Sequence, residues 1–382
     1  MKMKKALILT QWYLPEKTPR AFRAFELVQE LSCRGYQIDL YAPMGSWINS
    51  ANHNVVLYEV EKNQSGTNNV HVEVESEFKH IVKQYLKNFY LYLMGDYPKD
   101  IVYACHMLHA LLKNAKNIEY DAAVSICLPF PVVVVLAAFS LVNRKLKIKV
   151  ADFGDPYYYN PNIPRAIYFK WIEKLVLKRI DYITIPIASA RKCYIPFKSE
   201  ENIKIIPQGY KIIDVDTHLY KRNAVPIFCY AGLFYETIRN PKYFLEYLTV
   251  LKEEFSFVVY ALPDRFTQHM LKVYKDRLGE RLTIKEPLDR EVLIHEMAKM
   301  DFVINFDNDN ATQRPSKLVD YAMSHRPILS FNRETFRPEV FQAFLKGDYR
   351  EQYYVDLEQY DIRRVVDQFE ALFEEKIGKE VQ

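Results

Sequence analysis

The sequence has little glycine, with 10 glycines in 382 residues. In particular, the Gly-x-Gly-x-x-Gly pattern that brings the backbone close to a dinucleotide is missing after the first predicted strand, Lys5–Thr10. A polar, proline-containing loop, Gln11–Thr18, follows that strand instead. The sequence therefore argues against dinucleotide binding at this loop, and any phosphate site must be built without a glycine-rich loop.

The sequence also lacks a cysteine framework, a strong net charge and a membrane-spanning apolar run. The net charge of +4 gives no reason to expect nucleic acid as a partner. The longest apolar run, Leu128–Val142, contains two prolines and is too short to span a bilayer, so it predicts a buried helix. No signal peptide is predicted. Five scattered cysteines predict reduced thiols in a cytosolic protein: Cys33, Cys105, Cys127, Cys193 and Cys229.

Length and patterning predict two α/β domains. A chain of 382 residues that is 49% hydrophobic has material for two cores. Predicted strands and helices alternate in both halves, which is typical of doubly wound sheets. We expect an N-terminal domain over residues 1–210, a linker over 211–225, a C-terminal domain over 226–350, and a helical tail over 351–382 that packs back on the N-terminal domain.

The stretch Asp301–Phe331 is predicted to form a parallel strand–helix–strand unit. Its first apolar run predicts a buried strand, and the polar loop Asp307–Arg314 follows. Pro315 is well suited to the first position of a helix, because it has no N–H that would be left unpaired there. Pro327 ends this helix, and Ile328–Phe331 is predicted to be the next strand.

The start of that helix is a candidate anion site. It lies beyond the carboxyl end of a strand, where parallel sheets bind ligands, and its N–H groups favour phosphate. Ser316 and Lys317 add a hydroxyl and a cation, and Asp320 is placed to accept hydrogen bonds from a sugar diol. An ordinary buried unit with a polar loop is the alternative interpretation.

Two other loops that follow predicted strands carry candidate residues. Asp152 and Asp155 could hold a sugar hydroxyl or act as a general base, or they could simply form a capping turn before the next helix. After the strand Ile227–Ala231, Gly232 lets the backbone approach a ligand, and Arg239 lies near the start of the following helix.

The predicted helix Glu77–Leu93 mixes lysines with aromatic and aliphatic residues. A basic, aromatic, amphipathic helix of this kind can lie on an anionic membrane surface. The alternative is a helix that packs on a sheet and exposes its basic face to water. Both interpretations stay open, and the first allows peripheral membrane contact through the N-terminal domain.

Six motifs are spread over nearly the whole chain. They begin at Leu7 (Leu-Ile-Leu-Thr-Gln-Trp-Tyr-Leu-Pro), Arg20 (Arg-Ala-Phe-Arg-Ala-Phe-Glu-Leu), Ile206 (Ile-Pro-Gln-Gly-Tyr), Tyr230 (Tyr-Ala-Gly), Gln313 (Gln-Arg-Pro-Ser-Lys-Leu-Val-Asp-Tyr-Ala) and Arg326 (Arg-Pro-Ile-Leu). Together they resemble the glycosyltransferases of the GT-B fold, family 4 group. The resemblance implies two facing Rossmann-like domains with an interdomain cleft and a C-terminal helix, the first domain on the acceptor side and the second binding the nucleotide-sugar.

The resemblance also implies roles for residues. The donor is a UDP- or GDP-linked sugar, the acceptor a glycan or lipid-linked molecule, and transfer retains the anomeric configuration without a cofactor or metal. Arg239 and Lys317 would stabilise the departing diphosphate, with Asp155 as a third catalytic candidate. The donor site would comprise Gly232, Leu288, Thr312, Gln313, Pro315, Ser316, Lys317, Leu318 and Asp320, and the acceptor side Arg20, Asp152 and Asp155.

The sequence departs from the family pattern at one carboxylate. The family has two glutamates separated by seven residues; here Asp320 matches the second, and Thr312 stands at the first. Asp307-Asn-Asp309 resembles the metal-binding Asp-x-Asp motif of the other large glycosyltransferase fold. The two cations Arg239 and Lys317, however, make a metal redundant. Two alternatives stay open: a nucleotide-sugar epimerase on the same fold and a non-catalytic nucleotide-sugar binder. A role in polysaccharide or glycan biosynthesis, in the cytoplasm or at the inner face of the membrane, is expected.

Overall fold

The computed structural model describes residues 3–49, 53–62, 77–160, 163–236, 239–261, 264–307 and 317–375. The chain divides into two compact units. The first comprises residues 1–211 together with 359–382, and the second comprises residues 212–358. Residues 212–225, predicted to be a linker, belong to the second unit, where the Tyr220 hydroxyl donates to Asp301 at 2.6 Å.

The first unit contains a seven-stranded parallel sheet with the order β3-β2-β1-β4-β5-β6-β7. Short apolar runs form these strands, as the sequence predicts, and the central strands are buried on both faces, as parallel sheets usually are. Their bounds are β1 Lys5–Thr10, β2 Gln37–Pro43, β3 Val55–Val60, β4 Tyr120–Cys127, β5 Leu146–Phe153, β6 Tyr182–Ile185 and β7 Ile203–Ile205.

Helices cover both faces of this sheet. One core combines side chains of α1 and α11, and the other combines side chains of α3, α4 and α5. The Thr18 hydroxyl caps α1 by accepting from the Ala21 amide at 3.1 Å, and Gly35, at φ +84°, follows its end. The helices are α1 Pro19–Cys33, α2 Glu77–Met94, α3 Pro98–Asn114, α4 Pro131–Val142, α5 Tyr168–Leu177 and, after the second unit, α11 Ile362–Glu375.

The C-terminal helix α11 packs against α1 within the first unit. Arg34, just after α1, donates to Asp367 at 2.6 Å and to Glu370 at 2.5 Å. The guanidinium of Arg23 lies 5.1 Å from the ring centroid of Phe369. The last helix of the chain therefore completes the core of the first unit.

The second unit contains a five-stranded parallel sheet with the order β10-β9-β8-β11-β12. A phenylalanine-rich core joins the sheet to α6, α7 and α10, while α8 and α9 contact each other. The strands are β8 Ile227–Ala231, β9 Ser256–Tyr260, β10 Leu282–Lys285, β11 Phe302–Phe306 and β12 Ile328–Phe331. The helices are α6 Lys242–Val250, α7 Arg265–Leu278, α8 Arg290–Met297, α9 Lys317–Met323 and α10 Pro338–Leu345.

The α/β class with two parallel sheets confirms the prediction from the sequence. Three helices, α3, α7 and α10, were not predicted. The alternating apolar pattern of residues 70–75 also predicts a strand, but these residues lie outside the described ranges, as does the predicted helix start at Pro315. Within the described ranges, no helix combines the length and apolar character needed to cross a bilayer.

Candidate functional site

The best-defined candidate site of the second unit lies where β8 ends, beside the first residue of α9. The ammonium of Lys317 donates to the carbonyl of Ala231, the last residue of β8, at 2.8 Å. The Tyr321 hydroxyl donates to the same carbonyl at 2.8 Å and accepts from the Ala231 amide at 3.1 Å. A Cβ on Gly232 would lie 2.8 Å from the Lys317 nitrogen. The absence of a side chain at Gly232 therefore makes room for the ammonium group.

Among the described residues, the ammonium of Lys317 contacts a neutral carbonyl and not a carboxylate. No described carboxylate forms an ion pair with it. Burial, together with the positive charge of Arg239, lowers the pKa of Lys317 to about 8, and Asp320 opposes this shift only in part. Arg239 in turn donates to the Tyr230 hydroxyl, which donates to the Leu233 carbonyl at 2.8 Å. Two cations thus adjoin the carboxyl end of β8, an arrangement that an anion would stabilise.

Asp320 lies one turn along α9 from Lys317, and Arg290 at the start of α8 holds it. The Arg290 Nε donates to Asp320 Oδ1 at 2.7 Å, and the Asp320 side chain is 21% exposed. Burial raises the pKa of Asp320, while the charge of Arg290 opposes that rise. Arg290 thus holds the Asp320 carboxylate through its Oδ1 atom.

Of the other predicted donor-site residues, one is exposed near Asp320, one is buried, and four lie outside the described residues. Leu288 is exposed in the loop after β10 and precedes Arg290 by two residues, which brings this loop close to Asp320. Leu318 is 6% exposed and faces the interior, so its side chain supports α9. Thr312, Gln313, Pro315 and Ser316 lie outside the described residues.

A cavity of about 470 Å³ lies on the second unit, and its lining includes Glu236 and Asn240, which flank Arg239 in the sequence. Its lining includes Asp307, whose carboxylate accepts from Asn305 at 2.7 Å and from Ser330 at 2.8 Å, whereas Asp309 lies outside the described residues. Neither Lys317 nor Arg239 lines it, and charge rather than cavity size therefore identifies the candidate site. The lining residues are Glu236, Asn240, Lys242, Tyr243, Glu246, Tyr274, Phe306, Asp307, Asn332 and Arg333.

The candidate residues of the first unit form an ion-pair network at the carboxyl end of β5. Asp152 accepts from Arg20 at 2.6 Å, from Arg23 at 2.9 and 3.1 Å, and from the Thr184 hydroxyl at 2.7 Å. Burial alone would raise the pKa of Asp152, but Arg23 and Arg20 together hold it below its ordinary value. Both oxygens of Asp152 are thus engaged within the chain, and this carboxylate positions Arg20 rather than presenting itself to an acceptor.

Arg20 and Asp155 lie close to this network. Arg20 also donates to the main-chain carbonyl of Asp152 at 2.6 Å, and a Cβ on Gly154 would lie 3.1 Å from the Arg20 side chain. Asp155 is partly exposed in the loop after β5, and its carbonyl accepts from the Tyr194 hydroxyl at 3.2 Å. Of the three acceptor-side candidates, Arg20 and Asp155 are therefore the two that solvent reaches.

Two residues of these networks were not singled out in the sequence. Arg23 occupies the buried face of α1 beside Ala24 and Leu27, and its position in that periodic pattern signals a buried cation that needs a partner. Arg290 is a basic residue in the first turn of α8, where the helix dipole disfavours a cation, and this signals another role.

Solved glycosyltransferase structures are similar to this chain over nearly its whole length. A TarM variant from S. aureus, in complex with fondaparinux, alpha-GlcNAc-glycerol and UDP, has a TM-score of 0.57 and 11% identity and covers 97% of this chain and 100% of that chain. Lipopolysaccharide outer core galactosyltransferase WaaB in its apo form has a TM-score of 0.54 and 10% identity, with 99% of each chain covered. HepE of Anabaena, in complex with UDP and glucose, has a TM-score of 0.53 and 12% identity, with coverages of 96% and 98%.

These similarities show that the chain has the GT-B fold, as its motifs imply. No family model matches the sequence, and no curated protein matches it either. At identities of 10–12%, the similarity defines the fold, and the activity must be argued from the site.

Proposed function

We propose that the chain is a glycosyltransferase that moves a sugar from a UDP- or GDP-linked donor to a glycan or lipid-linked acceptor. The observation that carries this proposal is the cation pair at the end of β8. Lys317 is largely buried, faces Arg239 and donates only to a main-chain carbonyl among the described residues. A diphosphate would supply the missing negative charge. The relatives HepE and TarM, on the same fold, are in complex with UDP.

The cation pair suits the chemistry of sugar transfer. As the bond between the sugar and the diphosphate breaks, negative charge grows on the departing phosphate oxygens. Donors that are already in place for that charge lower the barrier, and the loss of one costs about 3 kcal/mol. Lys317 and Arg239 take this role, while Asp320, held by Arg290, accepts from the ribose hydroxyls, and the main chain of residues 286–288 contacts the base.

The first unit would present the acceptor. Arg20 and Asp155 line that side in the proposal, with Asp152 keeping Arg20 in place. The departing phosphate takes the acceptor proton, so transfer proceeds with retention and needs neither a metal nor a strong protein nucleophile. We place the reaction in polysaccharide or glycan biosynthesis in the cytoplasm, with peripheral contact between the first unit and the inner face of the membrane.

Incubation with a panel of radiolabelled nucleotide-sugars tests the proposal. We expect slow release of free nucleotide diphosphate from one donor, and faster release when the correct acceptor is added. Reversible interconversion of the sugar would instead identify a nucleotide-sugar epimerase on the same fold. Binding without turnover under any acceptor would identify a non-catalytic binder, an outcome that the neutral Thr312 makes a specific alternative.

A further inference from the structure

Helix α5 exposes an apolar stripe in the first unit. Trp171 and Leu175 are each 70% exposed, and Ile167, Tyr168 and Ile172 accompany them at helical spacing. The opposite side of α5 supplies the buried residues Phe169, Glu173, Val176 and Leu177. The helix is therefore apolar on both sides, and only one side is covered by its own unit.

Helix α2 exposes a second stripe with the same spacing. Tyr85, Leu86, Phe89, Tyr92 and Leu93 are all exposed, and Tyr85 is 71% exposed. An isolated exposed apolar side chain needs no explanation, but a run of five on one helix does. Aromatic side chains predominate in this stripe, as they do where proteins meet the interface between water and lipid.

Hydrogen bonds tie the end of α2 to the start of α5. The Ala166 amide donates to the Tyr92 carbonyl at 2.9 Å, and the Tyr168 hydroxyl donates to the Leu93 carbonyl. Arg165, just before α5, also donates to the carbonyl of Gly95, just after α2, at 3.3 Å. The two stripes therefore meet end to end, and we call them together the α2–α5 surface, defined by the exposed apolar residues of 85–94 and 167–175.

The charge of the α2–α5 surface has one sign. No acidic residue occurs in 85–95, and the single one in 163–180, Glu173, is 1% exposed. The exposed or half-exposed cations on the same segments are Lys87, Lys170, Lys174, Lys178 and Arg179. If two copies of this surface met about a two-fold axis, lysines would lie against lysines, which disfavours self-association. A partner that is both anionic and apolar would match the exposed apolar side chains and the lysines of this surface.

We propose that the α2–α5 surface docks on an anionic phospholipid bilayer. Trp171, Leu175 and the aromatic residues of α2 enter the interfacial region, and the lysines contact the lipid headgroups. α5 also bonds to the loop that carries Asp155, because the Tyr158 amide donates to Glu173 at 3.0 Å. Docking would thus bring the acceptor-side loop near the bilayer, and a lipid-linked acceptor follows from this only together with the proposed transferase function.

Co-sedimentation with vesicles tests the docking proposal without any measurement of activity. The full chain should pellet with vesicles of equal parts phosphatidylglycerol and phosphatidylcholine, and less with phosphatidylcholine alone. The double variant Trp171→Glu with Leu175→Glu should lower the partition coefficient by about tenfold or more. Lys170→Gln with Lys174→Gln should lower it by about fivefold per lysine on the anionic vesicles only.

A matched control changes two exposed apolar residues of the second unit. Val250→Glu with Tyr354→Glu, at positions 74% and 82% exposed, should leave vesicle binding unchanged. Unchanged circular dichroism spectra and melting temperatures in all three double variants would show that they are folded, and this control does not depend on the proposed activity. Failure of the wild-type chain to pellet with either vesicle overturns the proposal. So does a stable dimer that Trp171→Glu dissociates, since a second copy would then cover the surface.

Discussion

Each unit places a cation beside a glycine at the end of a strand, and the two cations differ in how they are neutralised. In the first unit, Arg20 lies against Gly154 and pairs with the carboxylate of Asp152 at 2.6 Å. In the second, Lys317 lies against Gly232 and donates to the neutral carbonyl of Ala231 at 2.8 Å. A cation paired within the chain stabilises the fold, whereas one held by a carbonyl beside another cation is poised for an anion from outside.

In our proposal, the comparison separates residues that stabilise the fold from residues that bind a ligand. A positive charge near a helix start, beside a glycine that follows a strand, is common to both cases, so neither feature predicts the difference. The group that each cation contacts makes the difference. For Arg20 this group is the carboxylate of Asp152, which lies 132 residues away in the sequence. Each of the following changes alters one side of this comparison.

Loss of the Asp152 charge should produce the largest effect. Asp152→Asn leaves the side chain of Arg23, which is 2% exposed, with an unpaired buried charge, and should lower the free energy of unfolding by about 3–5 kcal/mol. Urea denaturation measures this loss. Asp367→Asn is the matched control, because that carboxylate is 63% exposed and its pair with Arg34 should contribute less than about 1 kcal/mol.

The pH dependence of that loss has a definite sign. Arg23 and Arg20 lower the pKa of Asp152 in the folded chain, so the stabilisation is complete above the unfolded pKa of about 4. It disappears as the pH falls through the folded pKa. The stabilities of wild type and Asp152→Asn should therefore converge in acid, and a constant difference down to low pH would contradict the ion-pair account.

Lys317→Met should weaken UDP binding but stabilise the protein in the absence of ligand. Loss of the charge-assisted contact should weaken UDP binding by about 2 kcal/mol, or roughly 30-fold. Without ligand, however, the variant should be more stable by about 1 kcal/mol, since a desolvated cation beside Arg239 has been removed. Calorimetric titration and thermal unfolding give the two readouts.

Lys299→Met serves as the control for this change, because the Lys299 side chain is 68% exposed on the same unit. This change should alter neither the affinity for UDP nor the melting temperature. If Lys317→Met bound UDP as the wild type does, the ammonium would have no part in the site. If it unfolded more easily, Lys317 would be a structural cation like the arginines of the first unit.

Gly232→Ala should have a smaller effect. The new Cβ would lie 2.6 Å from the Tyr230 hydroxyl and 2.8 Å from the Lys317 nitrogen, so the ammonium must move. We expect about tenfold weaker UDP binding, which corresponds to about 1.4 kcal/mol. Gly154→Ala is the counterpart in the first unit, where the nearest atoms are 3.1 Å away on Arg20, and it should leave UDP affinity unchanged. If both variants lost UDP affinity equally, the glycine of the second unit would have no special role in UDP binding.

The smallest expected effect is the response of UDP binding to pH. The pKa of Lys317 is about 8 in the free protein, and a bound diphosphate would raise it. The complex then carries more protons than the free protein, so affinity should fall as the pH rises through 8, by up to about tenfold between pH 7 and 9. Titrations over this range should show the slope in the wild type and not in Lys317→Met.

Local patterns in the sequence predicted much of the fold. Short apolar runs mark the strands of both sheets, and the glycine after Arg34 marks the end of α1, whereas the cap that Thr18 supplies at its start was not predicted. The helix α7 also carries a regular apolar pattern, at Met270, Leu271, Tyr274 and Leu278, so the sequence contains its signal although it was not predicted.

The site was only partly predictable, because its decisive contacts are not local. Lys317, Gly232 and Asp320 stand out by residue type and by position near strand ends. The partners that give them their properties do not: Arg290 is 30 residues from Asp320, and the carbonyl that holds Lys317 is 86 residues away. For the same reason, the ion pairs of Asp152 with Arg20 and Arg23 could not be predicted from the sequence around Asp152.

A crystal structure with UDP bound is the most direct test of the central claim, that Lys317 and Arg239 of the second unit hold the diphosphate. We predict phosphate oxygens within hydrogen-bond distance of the Lys317 ammonium and the Arg239 guanidinium, with the ribose hydroxyls on Asp320. A nucleotide bound elsewhere, with Lys317 still donating to the Ala231 carbonyl and no phosphate near it, would contradict the account.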